Sequence, residues 1–100
     1  MMRNQPTDKF IHIDKLQLHY LEWGDEHAQS MVLLHGIGDN AHIWDHFARN
    51  AADYLKVIAP DQRGHGFSDW AVPPAYSCED YVTDLDKLIQ STFDMMHRNE

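Results

Sequence analysis

Met31-Val32-Leu33-Leu34-His35-Gly36-Ile37-Gly38 runs four consecutive apolar side chains into a histidine and two glycines. A short unbroken apolar run is what a strand covered on both faces of a parallel sheet requires, so the stretch predicts such a strand and then a tight turn. Beyond it, residues 40–55 space Ile43, Trp44, Phe47, Ala48 and Ala51 at helical intervals, with Asp39 or Asn40 available as the cap. Val57-Ile58-Ala59 follows as a second apolar strand, closed by Pro60. Strand, helix, strand in this order predicts a right-handed crossover between parallel neighbours.

Upstream, Phe10, Ile11 and Ile13, then Leu16, Leu18, Tyr20 and Leu21, mostly alternate on either side of Asp14-Lys15. That pattern predicts an antiparallel hairpin, and Gly24-Asp25-Glu26 ends its second strand. Downstream, the turn-rich residues 61–74 lead to Ser77-Cys78-Glu79-Asp80, where Ser77 can cap a helix and Asp80 falls in its first turn. Tyr81, Val82, Leu85, Leu88 and Ile89 are the expected buried stripe, and Asp84, Asp86 and Lys87 the solvated face. With no repeat or linker, residues 1–100 read as part of one α/β domain.

Eight basic against sixteen acidic side chains give a net charge of −8, which repels a phosphate backbone and argues against nucleic acid as a partner. The eight histidines, all protonated, would cancel that charge, so solubility is expected to fall at about pH 5 to 6. Hydrophobic residues at 43% are enough to bury a core. The lone Cys78 rules out an internal disulfide and fits a reducing compartment. Residues 1–9 are polar, and no run is long enough to span a bilayer, so a cytoplasmic protein without a membrane partner is expected.

The glycine loop admits several readings. In the plainest, Gly36 and Gly38 supply positive φ for a turn from strand to helix. Gly36-x-Gly38-x-x-Ala41 also satisfies the G-x-G-x-x-G/A dinucleotide pattern, with Asp61 about 20 residues on where a ribose-binding acid belongs. Asp39 opposes this reading by placing a carboxylate beside the pyrophosphate, as do the bulky His42 and Trp44. His42 and His46, four apart around Asp45, have a helical metal-ligand spacing, but no third ligand is identifiable and two solvated side chains are the simpler account, so no metal or other cofactor is expected. Trp44 and Phe47 are assigned to the core, whereas Trp70 lies in a loop, where an aromatic is either simply exposed or lines the mouth of a pocket.

His35-Gly36-Ile37-Gly38 and Trp44, taken with Asp61-Gln62-Arg63-Gly64-His65-Gly66-Phe67-Ser68, resemble the α/β-hydrolase family over nearly the whole chain. The resemblance implies a sheet of order 1-2-4-3 with its chemistry at the carboxyl ends of the strands. It implies that the backbone N–H of Ile37 is one arm of an oxyanion hole, shaped by Gly36 and His35. Asp61, Arg63 and His65 would order the second loop by hydrogen bonds and ion pairing. The family's nucleophile stands on G-x-S-x-G, which these residues lack. Ser30, Ser68, Ser77 and Ser91 have no such setting, and Cys78 has no evident base. In the family the elbow follows the next strand. The expectation is therefore a fragment of a hydrolase acting on an ester or related small-molecule bond, inactive by itself, with the strand at residues 31–34 left as an apolar, aggregation-prone edge.

Overall fold

The hairpin forms from residues whose alternation lets one face pack. In a computed structural model, which describes residues 4–97, β1 (Thr7–Ile13) and β2 (Leu16–Trp23) pair antiparallel from Ile13 opposite Leu16 to Thr7 opposite Glu22. Asp14 makes the turn at φ 55°, a left-handed conformation that aspartate tolerates better than most side chains. β2 also pairs antiparallel with β4 (Lys56–Pro60), and β4 pairs parallel with β3 (Ser30–Val32), giving the order β1-β2-β4-β3. The expected sheet order is the one observed.

Period-two alternation divides the core between two faces. Leu21, Trp23, Val57 and Ala59 pack under Ala41, Ala48 and Ala52, the face covered by α1 (Asp45–Ala51). Tyr20 and Ile58 pack with Leu88 of α2 (Cys78–His97) on the other. Leu21 and Ile58 are fully buried, each stabilising the fold by roughly 1.5–3 kcal/mol. Among the described residues no helix is long and apolar enough to cross a membrane.

The helices depart from expectation at their apolar positions. The segment expected to be helical over residues 40–55 opens as a 3-10 turn, Ala41–Trp44, and is α-helical only over α1. Asn40, the cap, accepts from the His42 N–H. The tighter winding puts Ala41, Ala48 and Ala52 against the sheet and leaves Ile43 and Phe47 exposed. Trp44 keeps its place against the core. In α2, Ser77 and Asp80 form the expected reciprocal cap, each side chain accepting the other's backbone N–H at 3.1 and 2.9 Å. Its inner stripe holds Tyr81, Asp84, Leu85 and Leu88, whereas Val82 and Ile89, expected inside, are exposed. The apolar residues of β3, expected to be fully covered, are only half-buried at the sheet edge, with Val32 packed against the Tyr20–Ile58–Leu88 cluster and Leu33, just beyond the strand, against the other.

Candidate active site at the carboxyl ends of the parallel strands

The loops after β3 and β4 leave the same end of the sheet, the end at which open α/β sheets bind ligands. The second loop is fixed from within. Asp61 is 2% exposed, and its carboxylate accepts from Ala41 N–H at 2.7 Å, Phe67 N–H at 3.0 Å and His19 Nδ1–H at 2.7 Å. Burial pushes this carboxyl up, but the Ala41, Phe67 and His19 bonds outweigh it and hold the group below the ordinary carboxylate range. His19 Nε2 lies 2.7 Å from Asp8 Oδ1, so each ring nitrogen of a fully buried histidine faces a carboxylate. Gly66, at φ 53°, passes so close that a Cβ there would lie 2.3 Å from the Asp61 carboxylate. Ser68 is buried, donating to the Asp61 carbonyl and accepting from His19 N–H at 2.8 Å, which leaves it no part as a nucleophile.

Arg63 ties the same loop to α2. Its Nε and Nη2 donate to the two Asp84 oxygens at 2.8 Å each, and Nη1 donates to Ala75 O at 2.9 Å. The Asp84 bond holds the guanidinium above its ordinary value. Asp84 is thus no solvated residue but a buried partner, while Asp86 and Lys87 are exposed and Lys87 pairs with Asp14 at 2.8 Å. Asp84→Asn leaves one acceptor for a two-pronged donor, and chemical denaturation is expected to show a loss of about 2 kcal/mol.

The first loop contains a turn in which the Asp39 N–H donates to Gly36 O at 3.1 Å, with Gly38 at φ 87°. Gly38 is therefore the position that needs glycine. Gly36 has no positive φ, and a Cβ there would meet nothing within 4 Å. His35 is 5% exposed; its Nδ1–H donates to Gly36 O at 2.7 Å, and its Nε2 accepts the Gln62 N–H at 3.0 Å. The Gln62 side chain donates back to His35 O at 2.7 Å. Because a peptide unit is planar and trans, fixing Gly36 O also fixes the direction of the Ile37 N–H at its opposite end. The Gly38 and Asp39 N–H groups have acceptors, whereas among the described residues no protein acceptor takes the Ile37 N–H. Ile37 is 96% exposed.

The remaining candidates fall away from this arrangement. In the dinucleotide reading, Ala41 and Asp61 would face the cofactor; here the Ala41 N–H binds the buried Asp61 carboxylate. His42 lies in the 3-10 turn, pairs with Asp45 at 2.9 Å and does not share an α-helical face with His46. Trp70, 72% exposed, lines an open groove of about 600 Å³ with Gly64, His65 and Tyr76. Sequence reasoning missed His19 and Asp84. Asp84 had a signal, since it falls three residues after Tyr81 and four before Leu88, on the inner stripe.

A mixed sheet with interlocked loops at its carboxyl end defines a hydrolase-type α/β domain, and the sequence model of the alpha/beta hydrolase fold matches residues 29–94. The chain belongs to the α/β-hydrolase fold family. It is 32% identical over 82 residues to cis-3-alkyl-4-alkyloxetan-2-one decarboxylase of Xanthomonas campestris pv. campestris, covering 75% of this chain and 27% of that protein. Epoxide hydrolase A of Mycobacterium tuberculosis is 36% identical over 64 residues, 63% of this chain and 20% of its own length. The solved epoxide hydrolase A of Mycobacterium thermoresistibile superposes with a TM-score of 0.79 at 30% identity, over 88% of this chain and 28% of that one. The chain thus spans about a quarter of the length of these relatives.

Proposed function

We propose that this chain is the N-terminal sheet and one arm of the oxyanion hole of an α/β-hydrolase that cleaves an ester or related small-molecule bond. Attack on an acyl carbon places negative charge on oxygen, and a donor already aimed at that oxygen lowers the barrier by about 3 kcal/mol. The Ile37 N–H is such a donor. What carries the reading is that its peptide unit is clamped at Gly36 O by His35 and Asp39 while the N–H itself is taken by no acceptor among the described residues. Ile37 thus acts through its backbone, with His35 and Gly36 setting its direction. His35 acts as a positioning group and not as a base, because its Nε2 already accepts the Gln62 N–H. The substrate is a small molecule, and no nucleic acid or membrane enters the reaction.

Residues 1–100 contain no G-x-S-x-G, so alone they are expected to leave ester and epoxide substrates at the background rate. Joined to the C-terminal remainder of the Mycobacterium thermoresistibile epoxide hydrolase A, the chain is expected to restore epoxide hydrolysis. Saturable turnover by the chain alone, or a folded chimera without activity, would overturn the proposal.

A further inference from the structure

His65 lies in the second loop, yet one of its bonds reaches the first. Its Nδ1–H donates to Arg63 O at 3.1 Å, which leaves Nε2 as an acceptor, and the Gly38 N–H donates to it at 3.1 Å. Gly38 N–H belongs to the peptide unit on the far side of Ile37 from the one that His35 holds. The two planes flanking the Ile37 Cα are thus each tethered, one by His35 and Asp39 at Gly36 O and the other by His65. The two imidazole rings lie 4.9 Å apart, and the carbonyl that sets the His65 tautomer belongs to Arg63, which Asp84 and Ala75 anchor. With Gly38 at φ 87° and Ile37 almost fully exposed, little else restrains this turn.

We infer that His65 is a second positioning residue of the Ile37 turn beside His35: by accepting the Gly38 N–H it fixes the plane next to the oxyanion donor and relays the rigidity of the Arg63–Asp84 pair to it. This rests on reading the Ile37 N–H as that donor, but the bond itself is testable without any chemistry. In the full chain labelled with nitrogen-15, a through-bond coupling between the Gly38 amide nitrogen and His65 Nε2 is expected.

His65→Asn reaches only as far as Nδ1 and is expected to lower the Ile37 order parameter from about 0.85 to below about 0.6 while the amides of β4 and α2 keep theirs. His65→Gln, whose side chain reaches as far as Nε2, is expected to restore it. An absent coupling in the unmodified chain, or an Ile37 amide equally rigid in His65→Asn, would overturn the inference; the coupling needs no variant, so a misfolded variant cannot protect it. If the coupling is present and the chimera is inactive, the hydrolase reading fails and the bond stands. An active chimera without the coupling means the reverse.

Discussion

Ile37→Pro is expected to lower kcat of the active chimera by about 10²- to 10³-fold, the loss that follows removal of one oxyanion donor, while KM changes little. Proline deletes the N–H and leaves the rest of the turn in place. Ile37 is the second of four residues in a turn closed by the Asp39 N–H to Gly36 O, a position at which proline's fixed φ is favoured. Ile37 does not have a positive φ, so the substitution demands no reversal of the backbone. Its side chain is 96% exposed, so no core packing is lost. Ile37→Ala, which keeps the N–H, should leave kcat within about twofold, since side-chain truncation at an exposed position costs little. Steady-state kinetics of both variants decide the matter: equal rates for Pro and Ala would remove the amide from the mechanism.

Asp61→Ala is expected to destabilise the chain by about 4 kcal/mol, a large part of the 5–15 kcal/mol that holds a domain of this size. The carboxylate joins the 3-10 turn through Ala41, the second loop through Phe67 and β2 through His19, and its removal leaves three buried or half-buried donors without an acceptor. Urea titration followed by tryptophan fluorescence measures the loss. A change under about 1 kcal/mol would mean that water replaces the carboxylate at little cost.

The same group predicts an acid limb. Because Asp61 titrates lower in the folded than in the unfolded chain, its contribution is fully present above the ordinary carboxylate range, about pH 4. It is lost as pH falls through the lower folded-state value. Asp80 is also held low, by its bonds to Ser77, and acts in the same direction. Stability of the unmodified chain should therefore fall with acid more steeply than that of Asp61→Ala.

Much of the architecture is legible without coordinates, because strand alternation, the apolar runs and the reciprocal Ser77 and Asp80 cap are local patterns. The hairpin and the start of α2 are as read, and the order β1-β2-β4-β3 is the one implied by the family resemblance and not by any local pattern. Local patterns fail where winding or packing is decided elsewhere. Ile43 and Phe47 satisfy a helical period and are exposed, since the chain enters through a 3-10 turn that rotates alanines inward. Asp84 is polar, and so reads as solvated, until Arg63 from a distant loop meets it.

The sequence by itself determined the fold class, the parallel pair of strands and the glycine turn between strand and helix, because each depends on side-chain periodicity or on φ preference within a few residues. Only the tertiary structure decided which polar groups are buried and which donor is left open. His19 with Asp61, Arg63 with Asp84 and His65 with Gly38 are 42, 21 and 27 residues apart in the chain. Their hydrogen bonds exist only once the sheet has brought separate loops to one end, and no spacing along the chain encodes that approach.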